Sequence, residues 1–121
     1  MMNICIIGKG SIGKRHAKIL SKLKYNIFFL RRKVNKFNEV NYESVNLLKK
    51  IDFFIISNPT SLHFKTLKKI EIYKKPILIE KPLFDENANL NSINKKIKKL
   101  IFTAYMMRFD PRIEYLKKKI N

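Results

Sequence analysis

The sequence is short of most residues that punctuate a chain: 121 positions hold three glycines, four prolines, one cysteine and no tryptophan. The single cysteine, Cys5, excludes an internal disulfide framework and any cysteine-rich zinc site. No apolar run exceeds four residues, as in Ile4 to Ile7, whereas a helix that crosses a bilayer needs roughly 20. A transmembrane span is therefore not expected. A signal peptide is not expected either, because no basic segment precedes Ile4 and Lys9 follows directly on Ile7 and Gly8. The chain reads as soluble and cytoplasmic. Acids are also scarce, nine against 27 Lys plus Arg, for a formal net charge of +18.

That charge invites a polyanionic partner, since Lys and Arg bind phosphate backbones by releasing counterions. The distribution argues otherwise. Lysines run from Lys9 to Lys119, and Lys, Ile and Asn together fill 52 of 121 positions. All three have A/T-rich codons, so a compositional drift explains the excess. Arg, the better reader of phosphates and bases, occurs five times. The lysines are read as a solvated surface and nucleic acid as an unlikely partner.

With 45% hydrophobic residues the chain has apolar surface enough for one core, and a domain this size buries roughly two-thirds of its unfolded surface. Short apolar runs alternate with helical patterns, the sequence form of a β-α-β chain building a parallel sheet. Strands are expected at Asn3 to Ile7, Ile27 to Leu30, Asp52 to Ser57, Ile77 to Ile79 and Leu100 to Tyr105. Helices are expected over Ser11 to Leu23, with Ile12, Ile19, Leu20 and Leu23 inward, and over Tyr42 to Lys50, with Val45 and Leu48 inward. A third starts at a Thr60 or Ser61 cap and carries Leu62, Leu67 and Ile70; others cover Glu86 to Lys99 and Pro111 to Ile120. Arg31 to Asn41 reads as a loop. No linker or repeat marks a boundary, so residues 1–121 are read as one α/β domain, a Rossmann-type doubly wound parallel sheet.

All three glycines fall in Gly8-Lys9-Gly10-Ser11-Ile12-Gly13. The hexad ends one expected strand and opens the first helix, the context that gives the pattern a mechanism. Gly8 permits the tight turn, Gly10 lets a pyrophosphate approach the backbone, and Gly13 lets the helix pack close to the sheet. The N–H groups of Ser11 and Ile12 at the helix start then face the phosphates. A nicotinamide dinucleotide is the expected ligand. NAD-binding chains place Asp or Glu near the end of the second strand; here Arg31-Arg32 stands there, and no acid occurs before Glu39. Paired guanidinium donors suit a 2′-phosphate, which favours NADP over NAD.

Four segments together resemble the glucose-fructose oxidoreductase, inositol dehydrogenase and rhizopine-catabolism (Gfo/Idh/MocA) group. They are Ile6 to His16, Ile55 to His63 with its Asn58-Pro59 turn, Ile79-Glu80-Lys81-Pro82-Leu83, and Tyr105 to Pro111 with its Arg108-Phe109. The resemblance implies hydride transfer between a nicotinamide cofactor and a sugar or cyclitol hydroxyl or ketone. It places the counterpart of Lys81 beside the nicotinamide as the acid-base group and that of Glu80 on the cofactor's ribose. Asn58, Pro59 and Arg108 fall at cofactor-facing strand ends. His63 is expected to start a helix near the cofactor or to pack its end; His16 reads as a packing or surface residue, and Asp110 is unassigned. No metal site is expected.

Members of this group are normally about three times longer, with a second α/β domain that builds most of the sugar site. The expectation is therefore a nucleotide-binding half: truncated, completed by a separately encoded C-terminal domain or a homo-oligomer, or acting as a stand-alone dinucleotide-binding module. Against the polyanion alternative, DNA and RNA binding should be weak, fall steeply with salt and vanish near physiological ionic strength. Submicromolar binding in a filter assay at that salt would instead make the lysines a nucleic-acid surface.

Overall fold

The computed structural model describes residues 2–8, 10–31, 38–80 and 89–104. Its runs of β-branched and aromatic residues form six parallel strands: β1 Asn3–Ile7, β2 Asn26–Leu30, β3 Glu39–Val40, β4 Phe53–Ile56, β5 Ile77–Glu80 and β6 Ile101–Ala104. They lie in the order β3-β2-β1-β4-β5-β6. The chain builds outward from β1 in one direction, then returns to place β4 on its other side. The topological switch point thus falls between β1 and β4.

Helices cover both faces. Helix α1 (Ser11–Lys22) sets Leu20 against Ile4, Ile6, Phe29, Phe53, Ile55 and Leu78. On the opposite face α3 (Thr60–Ile70) and α4 (Lys95–Lys98) set Leu67, Ile70 and Ile97 against Ile7, Phe54, Ile56, Ile77 and Ile79. Helix α2 (Val45–Leu48) adds Leu48 to that second layer. Strand β4 is buried throughout, as a central parallel strand covered on both sides must be.

Local chemistry explains where the elements differ from the sequence expectations. The helix expected over 86–99 is, among its described residues, a 3-10 turn (Leu90–Ser92) and the single turn of α4. Asn and Ser compete for backbone groups: Ser92 Oγ donates to the Asn89 carbonyl, and Asn94 Oδ1 caps Lys96 N–H at 2.8 Å. The expected loop contains β3, whose two residues are too few to give a period. On α1 the buried stripe is Gly13, His16 and Leu20, with Ile12 and Leu23 exposed; Val45 and Leu62 also face outward. Pro59, not Thr60 or Ser61, occupies the N-cap of α3. The helix expected over Pro111 to Ile120 lies outside the described residues.

With every glycine at the hexad, other residues take the left-handed positions that glycine usually fills. Lys24 (φ 66) and Lys74 (φ 53) do so. Lys24 ends α1 in a Schellman pattern, with Tyr25 N–H donating to the Leu20 carbonyl and Lys24 N–H to that of Ser21. A side chain in that conformation costs about 1–2 kcal/mol, partly offset by glycine's larger unfolded-state entropy. Replacing Lys24 with Gly should raise the urea-unfolding free energy by about 0.5–1 kcal/mol; an unchanged or lowered value would show that no strain is stored there.

Candidate functional site

The strand register sets five residues in one row at the C-terminal edge of the sheet. Ile7 pairs with both Leu30 and Ile56, Ile56 with Ile79, and Ile79 with Thr103. The next residues along are therefore level: Arg31, Gly8, Ser57, Glu80 and Ala104. In open parallel sheets ligands bind outside this edge, at the switch point, which here lies between Gly8 and Ser57.

The turn after β1 is held by what its glycines lack. Gly8 has φ +106, and a Cβ there would meet Asn58 N at 2.6 Å and the Ser57 carbonyl carbon at 2.7 Å. A Cβ on Gly13 would lie 1.8 Å from the Gly8 carbonyl oxygen, so α1 rests directly on the turn. Gly10 is the opposite case. Nothing lies within 4 Å of where its Cβ would be, leaving open space above the backbone at the start of α1.

Gly10 is also the N-cap of α1, with no side-chain cap and no acid in the first turn. The first intrahelical bond runs from Lys14 N–H to the Gly10 carbonyl at 2.9 Å. The N–H groups of Ser11, Ile12 and Gly13 precede it, and the positive end of the helix dipole favours an anion there. Open space over a cradle of free donors fits a pyrophosphate. Ile12, in the first turn of α1, and Pro59, at the N-cap of α3, are both exposed.

Opposite the turn, Ser57 joins the two strand ends. Its N–H donates to the Ile7 carbonyl at 2.8 Å, and its hydroxyl lies 3.1 Å from that oxygen and 3.2 Å from the Gly8 carbonyl. Asn58 is fixed by two groups. Its Nδ2 donates to Thr66 Oγ1 at 2.8 Å, and its carbonyl accepts from His63 Nε2 at 2.7 Å. Its Oδ1 is buried without a hydrogen-bond partner, an acceptor left over for a ligand hydroxyl or amide. His63 is itself buried, so its described bond supports the Asn58 turn.

At the flanks, the Arg31 side chain is 44% exposed and its Nε lies 3.8 Å from Oε2 of buried Glu39 on β3. Glu80, at the end of β5, is buried with its carboxylate bonded to His16 Nε2 of α1. Cys5 takes no part: burial pushes its thiol up to about 12, out of range for a nucleophile. Lys81, Arg32 and Arg108 lie outside the described residues. Among the described residues no three His, Cys, Asp or Glu gather to hold a metal, and no helix is long and apolar enough to cross a membrane.

Of the residues singled out from the sequence, Gly8, Gly10, Ser11, Ile12, Gly13, Arg31, Asn58, Pro59, His63 and Glu80 lie on or directly behind the C-terminal edge. Sequence reasoning missed Ser57, Thr66, Glu39 and the role of His16. Only His16 left a trace, its spacing of three from Gly13 putting a polar residue on a buried helix face.

A family model described as "Oxidoreductase family, NAD-binding Rossmann fold" matches residues 2–105. Solved structures of similar fold include the WlbA (WbpB) dehydrogenase of Thermus thermophilus in complex with NAD and alpha-ketoglutarate. It superposes with a TM-score of 0.70 at 18% identity, over 99% of this chain and 46% of that one. The scyllo-inositol dehydrogenase of Lactobacillus casei gives 0.68 at 20% identity, over 98% and 40%. UDP-N-acetylglucosamine 3-dehydrogenase GnnA from Acidithiobacillus ferrooxidans gives 0.67 at 22%, over 98% and 41%. The chain spans less than half the length of each. No curated protein sequence matches it.

The glycine geometry separates two substitutions that look alike. Gly13→Ala should destabilise the fold by about 1–3 kcal/mol, because the overpacking exceeds the roughly 1 kcal/mol that Ala gains over Gly in a helix. Gly10→Ala should leave stability within about 0.5 kcal/mol. Urea denaturation of both variants checks this, and equal losses would contradict the packing described.

Proposed function

This chain belongs to the Gfo/Idh/MocA oxidoreductase family, in its NAD-binding Rossmann domain, and from that premise we propose that it is the cofactor-binding half of a sugar or cyclitol dehydrogenase. Family membership makes the cofactor a nicotinamide dinucleotide. The observation that carries the placement of that cofactor is the contrast among the glycines: Gly8 and Gly13 are tightly packed while the space over Gly10 is open. The pyrophosphate is assigned to the N–H groups of Ser11, Ile12 and Gly13, and the Asn58 Oδ1 acceptor to a polar group of the ligand. The net charge of +18 draws phosphates toward the crevice without supplying specificity.

Bound nicotinamide supplies hydride exchange with a carbinol carbon. The chain's own part is to hold the dinucleotide and to move the proton. Lys81, directly after Glu80, is assigned the proton at the substrate oxygen, as the family resemblance implies. NADP is the favoured form: Arg31 stands at the end of β2 with Glu39 behind it, and Arg32 follows. This assigns the 2′-phosphate to their guanidinium donors. Sugar turnover rests on surfaces beyond these residues, because hydride transfer needs the carbinol held in line as well as a cofactor. These residues by themselves are therefore expected to bind cofactor and to turn over sugars negligibly.

Calorimetric titration with NADPH and NADH tests the proposal. Micromolar binding is expected, lost on Gly10→Val. Replacing Arg31 and Arg32 with Ala should weaken NADPH by about tenfold, the scale of one charge-assisted hydrogen bond, and NADH far less. Failure of the wild type to bind either dinucleotide would overturn the assignment; equal losses in the double variant would remove the NADP preference alone.

A further inference from the structure

The least expected polar contact in the described structure joins two residues 64 positions apart. His16 on α1 and Glu80 at the end of β5 are bonded through Nε2 and Oε1, with side-chain exposures of 3% and 10%. An acid buried in a chain with only nine acidic residues calls for a reason, because a buried carboxylate carries a desolvation cost that its hydrogen bond only offsets. Its location supplies one. Glu80 is level with Gly8 and Ser57 in the edge row, and Gly13 and His16 share the buried stripe of the helix that rests on the glycine turn.

The protonation pattern follows from the bonding. His16 Nδ1 is buried with no hydrogen-bond partner, so a proton there would be a buried donor with nothing to receive it. The tautomer that leaves no donor unpaired carries its proton on Nε2 and donates it to Glu80. One carboxylate oxygen is thereby engaged, and the side chain still keeps a tenth of its surface exposed at the ligand-binding edge.

We propose that His16 is a positioning residue for the dinucleotide: it ties the Glu80 carboxylate, which the family resemblance already sets on the cofactor's ribose, to the phosphate-binding helix, and leaves the second carboxylate oxygen to accept from the ribose hydroxyl. The strand order sets which ribose. A dinucleotide with its pyrophosphate at the start of α1 and its adenosine half toward β2, where Arg31 stands, would set its other half over β4 and β5. One rigid helix then holds the phosphates at its first turn and, one turn further along, the carboxylate that meets the sugar. This inference rests on the dinucleotide reading above.

The test compares two probes on the full chain, NADH and ADP, since ADP carries the pyrophosphate and adenosine but not the second ribose. His16→Leu should weaken NADH at least tenfold and ADP less than threefold. His16→Gln, which keeps an N–H donor, should restore NADH to within threefold of wild type. If His16→Leu fails to fold because it strands a buried carboxylate, the double variant His16→Leu/Glu80→Met supplies an apolar pair and should show the same selective loss. In the wild type, NMR of the His16 ring nitrogens should place the proton bonded to Glu80 on Nε2. NADH binding by the folded double variant as tight as wild type overturns the inference and leaves the dinucleotide reading intact, as does an equal loss of NADH and ADP. Binding of neither probe by the wild type overturns both.

Discussion

The distance between α1 and the end of β1 is set by an absent side chain. With hydrogen at Gly13, the helix rests on the Gly8 carbonyl, where a Cβ would fall 1.8 Å from the oxygen. Two consequences follow from that approach. The first-turn N–H groups of the helix are delivered to the switch point of the sheet, and the helix face beyond Gly13 is brought close enough to β5 for His16 to reach Glu80. Ser57 completes the constraint from the other side, bonding the Ile7 and Gly8 carbonyls at the end of β4. The crevice is thus the space that remains once three backbone segments have been packed as closely as glycine allows.

The rest of the molecule shows how strongly that geometry draws on the composition. Glycine appears nowhere else, and Lys24 and Lys74 take the left-handed positions that glycine would otherwise fill. Side-chain polarity is distributed in a similar way. The described buried polar residues are His16, Glu39, His63, Thr66 and Glu80. His63 and Thr66 bond to Asn58, His16 and Glu80 to each other, and Glu39 faces Arg31. Buried polar groups carry a desolvation cost that only paired geometry offsets. Here their pairing falls along one edge of the sheet, while no described lysine is buried.

Much of this was legible in the sequence because it depends on short-range pattern. Ile4 to Ile7 and Phe53 to Ile56 read as strands from apolar runs too short for helices, and the hexad marked the strand-to-helix turn from spacing alone. The four segments that resemble the Gfo/Idh/MocA group located the edge residues Gly8, Asn58 and Glu80. What could not be read depends on distance in space. Nothing in the order of residues pairs His16 with Glu80, or Ser57 with Gly8, until the sheet order β2-β1-β4-β5 sets their elements side by side. Ile12 and Leu62 misled for a related reason. Both keep helical spacing with the apolar residues of their helices, but the buried stripe is chosen by what the helix rests on. In α1 that anchor is Gly13, which hydropathy does not register. Strand β3 was missed because two residues of Glu and Val have no period to detect.

The first turn of α1, proposed above as the anion cradle of the crevice, is read directly by an amide NMR titration of the isotope-labelled chain with NADH. The largest shifts are expected on the backbone N–H groups of Gly10, Ser11, Ile12 and Gly13, with Asn58 following and the opposite edge of the sheet, around Asn3, Asn26 and Asp52, unmoved. Shifts spread over the lysine surface with the α1 start unaffected would contradict that assignment.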